Sequence, residues 1–285
     1  MSNNTSPTVH KRQLGLALTE LRERAGKVRE EAAAALECSL SKISRIEHGD
    51  VGVRPAEMRD LLDLYEVAAA DRVEVEELAR LARQRRPRTT YGSAIPDWFR
   101  KFVNLEEVAS EVRTYDSELI TGLLQIDDYT RALVEATPLH RPEDLDRILA
   151  ARRARQKRIA GDAPLRVWAV MSEGAIRRVV GGPDVMARQL AHLTALAKQP
   201  HITIQVVPFS AGAHPSTGFN FSLLRFPDDD GADIAYLENL TGASYLDRDR
   251  PQELKTYEIT FNALSAAALS PADSLSLVDT VRREL

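Results

Sequence analysis

The densest set of groups suited to molecular recognition lies in twelve residues, Cys38-Ser39-Leu40-Ser41-Lys42-Ile43-Ser44-Arg45-Ile46-Glu47-His48-Gly49. Ser39 is a good helix N-cap, because its hydroxyl can accept a hydrogen bond from an N–H left orphaned in the first turn. Gly49 suits the position past the helix end, since it takes a positive φ at no steric cost. The spacing predicts a short helix over 39–48. Ile43 and Ile46, three apart, turn to a core. Leu40, Ser41, Lys42, Ser44 and Arg45 then point elsewhere. That face offers short hydrogen-bonding groups and two cations, with no acid before Glu47. These residue types can bond to base edges and neutralise phosphates, which is what a helix in a DNA major groove must do.

Other reactive residue types give weaker signals. The single cysteine, Cys38, cannot close an internal disulfide or build a metal site alone, and it reads as a small core residue. His10, His48, His140, His192, His201 and His214 show no ligand spacing on an evident helix, so no metal is expected. His214 and Ser216 share a loop over 212–218 and match a catalytic pair in type only. Neither a nucleophile elbow nor a glycine-rich phosphate loop accompanies them, so no catalytic residue, no cofactor and no enzyme activity are expected. Glu173 and Glu238 read as structural.

These groups sit in a chain of 285 residues, long enough for two domains. Its 44% apolar content is ordinary for a globular protein, and its net charge is −4, so any nucleic-acid surface must be local. Residues 1–90 carry 16 Lys+Arg against 15 Asp+Glu. Cations concentrate at Arg80, Arg83, Arg85, Arg86 and Arg88, read as a solvated helix end with DNA-backbone contact as the alternative. Arg152, Arg153 and Arg155 read as a solvated face, with partner or ligand binding as the alternative. No apolar run approaches a membrane span and the polar start is no signal peptide, so the expected location is the cytoplasm, at the nucleoid.

The elements that must hold the recognition stretch follow from periodicity. Residues 1–10 are expected to be disordered. Helices are expected over 11–25, 29–36, 56–67 and 73–84, which with 39–48 make a five-helix all-α domain over 11–84. A turn of about three residues before Ser39 gives helix-turn-helix geometry. Residues 85–97, rich in proline and hydroxyl groups, read as a linker. Residues 98–285 read as a mixed α/β domain. Helices are expected over 98–110, 126–136, 142–159, 173–179, 183–198, 251–267 and 271–283. Strands are expected over 165–171, 202–208, 220–226 and 234–237, with a weaker one at 244–246 and an extended piece at 112–115.

With these residues laid out, 11–67 resembles the Cro/repressor-type helix-turn-helix domain, the XRE family. The resemblance rests on Leu21-Arg22, Gly26, Glu31-Ala32-Ala33, Ser39, Ser41 to Glu47, Gly49 and Arg54-Pro55. It implies that Ser39, which caps the recognition helix, belongs to the DNA-binding set, that Leu40, Ser41 and Arg45 face base edges, and that Lys42, Ser44 and Arg54 meet phosphates. Leu40 can touch only a thymine methyl. It also implies a buried ion pair between Arg22 and Glu47. Where the family commonly has Ser-Gln, this chain has Val28-Arg29, which removes an N-cap and makes Arg29 a candidate phosphate contact.

Residues 98–283 resemble the large C-terminal domain of unknown function that follows this helix-turn-helix in many actinobacterial regulators. The marks are Gly122-Leu123-Leu124-Gln125 with Tyr129, Glu173 with Arg177, Gly181-Gly182, Gln189-Leu190, Gln205 to Pro208 and the segment 267–270. The resemblance implies a DNA-binding transcriptional regulator acting on double-stranded DNA, as a homodimer. It leaves two further partners open for the C-terminal domain, in keeping with antitoxin-like or ligand-sensing roles. One is a small protein encoded next door and the other is a small-molecule ligand.

Overall fold

The computed structural model describes residues 7–84, 96–137, 142–161, 163–227 and 233–285. The chain divides into two compact units, Met1–Thr89 and Thr90–Leu285.

The first unit has five helices, α1 (Pro7–Arg24), α2 (Arg29–Ala35), α3 (Leu40–Glu47), α4 (Pro55–Leu64) and α5 (Ala69–Ala82). Leu14 and Leu18, one turn apart on α1, meet Ile43 and Ile46 of α3 and Met58, Leu61 and Leu62 of α4 in one buried cluster. Helix α1 runs along α5 and crosses α3. The crossing needs Gly15, where a Cβ would collide with the Glu47 carbonyl oxygen.

The first four helices end the same way. Gly26, Glu37, Gly49 and Glu66 all take positive φ, at 67°, 49°, 71° and 53°. After each, the next N–H reaches back to a carbonyl of the last turn: Lys27 to Arg22, Cys38 to Ala33, Asp50 to Arg45, and Val67 to Leu62. This double-bonded end satisfies carbonyls that would otherwise be orphaned, and it sets the sharp exits between successive helices.

Two expectations shift here. Helix α1 starts at Pro7, so residues 7–10 are helical where disorder was expected. Proline's fixed φ suits a first helical turn, and a polar composition alone does not report that. Helix α5 starts at Ala69 rather than 73, on an N-cap with no side-chain bond to mark it. Residues 1–6 of the expected disordered tail and 85–95 of the expected linker lie outside the described residues, and with them Arg85, Arg86 and Arg88.

The second unit is a mixed α/β domain. It is built on β1 (Glu111–Asp116), β2 (Arg166–Ser172), β3 (Ile202–Val207), β4 (Phe221–Arg225), β5 (Ile234–Asn239) and β6 (Gly242–Leu246). The six form one sheet in the order β3-β2-β1-β4-β5-β6. Strands β1, β2 and β3 are parallel, and β4, β5 and β6 add on antiparallel. The helices are α6 (Asp97–Glu106), α7 (Asp127–Glu135), α8 (Leu145–Gln156), α9 (Glu173–Arg177), α10 (Pro183–Leu196), α11 (Pro251–Ala267) and α12 (Pro271–Glu284).

Both sheet faces are covered, which is why β2 reads as the near-continuous run Val167-Trp168-Ala169-Val170-Met171. Val112, Val167, Ala169, Met171 and Ile204 face a core that includes Phe102 of α6, Tyr129 of α7, Leu190 of α10 and Val278 of α12. Tyr115, Val170, Phe221 and Leu223 face the other way, onto Leu254, Phe261 and Leu264 of α11. Helix α6 ends four residues before the expected 110. Ser110 instead leads into the interior strand β1, its N–H donating to the Arg225 carbonyl of β4 at 2.8 Å. The expected helix over 142–159 is α8 flanked by 3-10 turns at Pro142–Asp144 and Lys157–Ile159.

Candidate nucleic-acid interface

Helix α3 is positioned from beneath. Ile43 and Ile46 are buried in the core, and between their rows the Glu47 carboxylate is buried as well. A buried carboxylate is tolerable only when paired and hydrogen-bonded. Here Arg22 Nε of α1 donates to Glu47 Oε1 at 2.6 Å and Arg29 Nε of α2 donates to Oε2 at 2.7 Å. Arg22 Nη1 also donates to the Lys27 carbonyl at 3.0 Å, across the turn that follows α1. Burial pulls the Arg22 guanidinium pKa down, but the Glu47 hydrogen bond and charge outweigh it and leave the value raised. Burial, with Glu47 adding to it, pushes the neighbouring Tyr65 hydroxyl up to about 12. One carboxylate thus ties α1, α2 and α3 together.

The opposite side of α3 faces solvent. Ser39, Leu40, Ser41 and Arg45 are exposed, and Lys42 and Ser44 are half-buried. Leu40 is 46% exposed at the helix start. Ser39 caps the helix as its type suggests, its Oγ accepting from the Lys42 N–H at 3.3 Å. The Arg45 side chain has no partner among the described residues, so its five N–H donors remain available. Ser44 Oγ lies 3.3 Å from His48 Nδ1 on the same helix.

Sequence reasoning overlooked Glu57. Lys42 Nζ donates to Glu57 Oε1 at 2.6 Å and the Arg54 N–H donates to Oε2 at 3.1 Å. Burial pushes this carboxyl up, but the Lys42 bond, the Arg54 N–H and the two cationic charges outweigh it and hold the carboxyl below its ordinary value. Glu57 therefore sets the Lys42 ammonium and the loop carrying Arg54 side by side. A glutamate at the third position of a helix opening on Pro55 is a recognisable half of a capping box, and that was the available signal. Arg54 itself is 84% exposed along its side chain. Arg83, read as part of a solvated helix end, donates Nη1 to the Val53 carbonyl at 3.2 Å and braces the same loop.

Arg29, the candidate phosphate contact, donates its Nε to Glu47 and keeps its side chain 28% exposed. The lost N-cap at Val28 is partly replaced by Glu31, whose Oε2 accepts from the Val28 N–H at 3.0 Å. That bond is also the leading reason the Glu31 carboxyl is lowered.

Among the described residues no helix is long and apolar enough to cross a membrane. Residues 13–78 match a family described as a helix-turn-helix domain, and residues 99–280 match one described as a domain of unknown function, DUF5753. No curated protein and no solved structure matches the chain. The second match spans most of the chain, and the first coincides with the unit that presents α3. The chain therefore belongs to the DUF5753 family and carries that domain behind an amino-terminal helix-turn-helix domain.

Proposed function

We propose that this protein is a sequence-specific DNA-binding transcriptional regulator of the XRE type that lays α3 in the major groove. The observation that carries this reading is the division of α3 into an inner side locked by Ile43, Ile46 and Glu47 and an outer side on which Ser41 and Arg45 are exposed and Ser44 half-buried. Arg45 is the residue suited to a guanine edge, and Leu40 to a thymine methyl. Lys42 and Arg54, set together by Glu57, and Arg29 at the rim supply phosphate contacts, which fix register without reading sequence. Ser39 serves the site by capping the helix. No catalytic role is assigned to any residue.

One α3 reads only a few base pairs, so the regulator acts as a homodimer on two half-sites. In vitro selection from randomised duplexes tests this. The expected outcome is a palindromic site with half-site centres about 34 Å apart, one turn of DNA. Enrichment of no sequence would contradict specific reading, and enrichment of a single non-repeated motif would contradict the dimer.

A further inference from the structure

Two carboxylates touch the cations assigned to DNA, and they do so differently. Glu47 is fully enclosed and answered by two arginines, Arg22 and Arg29. Glu57 of α4 is less deeply set, its side chain 14% exposed, and the Lys42 side chain that it holds is 35% exposed. Its Oε1 lies 2.6 Å from Lys42 Nζ and 3.9 Å from Arg54 Nε, while its Oε2 accepts the Arg54 N–H at 3.1 Å. These bonds and charges hold the carboxyl below its ordinary value, so it is ionised at neutral pH. Arg45, by contrast, has no such tether among the described residues.

A lysine is a point charge on a flexible four-carbon stem. Untethered, it can follow the nearest phosphate on any duplex in any register, and such contacts add affinity without sequence information. Bonded to Glu57, the Lys42 ammonium keeps two of its three N–H donors for DNA, but at one place only. The carboxylate also cancels much of its charge at longer range. A tethered cation meets a phosphate when α3 sits in the register that brings one to it, and that is the register in which Arg45 reaches its base.

We infer that Glu57 is a positioning residue that sets DNA specificity: it restrains Lys42, so that this cation strengthens binding at the selected site and contributes little on other sequences. The inference rests on the proposed reading of α3 and adds to it a device that withholds charge from the wrong duplex.

Glu57→Gln tests it, because the amide oxygen can still accept the Arg54 N–H and keep the helix cap while the negative charge is lost. Lys42→Met and the double variant complete a cycle. Each full-length protein is titrated with the selected duplex and with a duplex of unrelated sequence, by fluorescence anisotropy from about 50 to 200 mM salt. Glu57→Gln should bind the unrelated duplex more tightly, with a salt slope steeper by about 0.9, the increment for one further phosphate neutralised. The ratio of the two affinities should fall roughly threefold or more. In the Lys42→Met background the same substitution should move neither slope nor ratio. An unchanged ratio in Glu57→Gln would overturn the inference. So would an equal change with and without Lys42, which would report only the loss of an acid near DNA. Should the glutamine variant fail to fold, Lys42→Met alone decides: it should weaken the selected duplex more than the unrelated one, and equal weakening of both overturns the inference. Arg45→Ala separates the two claims. If it weakens the selected duplex while Glu57→Gln leaves the ratio intact, the role of Glu57 fails alone; if it has no effect, the reading of α3 fails and this inference with it.

Discussion

At the scale of single residues, buried charge decides how each unit holds together. Glu47 is a fully enclosed carboxylate answered by two guanidiniums from two other helices. Replacing it by glutamine keeps the shape but leaves Arg22 buried without a counter-charge. Removing one partner of a buried pair costs about 3–5 kcal/mol. Glu47→Gln should therefore unfold the amino-terminal unit at clearly lower denaturant, as followed by circular dichroism. An unchanged midpoint would mean that the carboxylate does not organise α1, α2 and α3. Asp116 shows the opposite balance. Burial, opposed by the Thr114 and Thr121 hydroxyls, raises its carboxyl from 3.8 to about 6. The folded protein thus holds this proton more tightly than the unfolded chain does. The stabilisation is complete below pH 3.8 and is lost as pH rises through about 6. Asp116→Asn should remove that slope and raise stability at neutral pH by roughly 1–2 kcal/mol after allowance for solvent screening. Thermal melts from pH 4 to 8, read as the difference between variant and wild type, check both the sign and the window.

At the scale of elements, legibility in the sequence followed chemistry that is local. Helix α3 was readable because Ser39 and Gly49 punctuate it and Ile43 and Ile46 mark its buried side, and the structure places all four accordingly. The exits of α2 and α4 were not readable. Glu37 and Glu66 occupy the left-handed position that glycine usually fills, and only the surrounding fold holds them there. Glu37→Gly should relieve this strain and stabilise the helix-turn-helix by roughly 1 kcal/mol in denaturant titrations. Destabilisation by the glycine would show that the turn is unstrained. The two sides of the sheet were also hidden, because strands covered on both faces lose their alternation. The arginines of α8 misled for a related reason. Arg155 pairs with Glu106, 49 positions away, and Arg153 with Asp127, 26 positions away, so spacing along the helix could not reveal either pair.

At the scale of the whole molecule, the sequence announced two parts, and the chain does fold into two compact units with the family matches falling one on each. The net charge of −4 means that DNA affinity must come from the few cations around α3 rather than from the protein's overall field. Binding should therefore show a modest salt dependence, set by the number of phosphates those cations neutralise. The account stands or falls on whether the solvent face of α3 reads bases. The direct measurement is the affinity of wild type and Arg45→Ala for the selected duplex and for an unrelated duplex, by gel shift at one fixed salt concentration. Loss of roughly 1–3 kcal/mol on the selected duplex, with non-specific binding nearly unchanged, is the predicted result. Equal affinity of the two proteins for the selected site would contradict it.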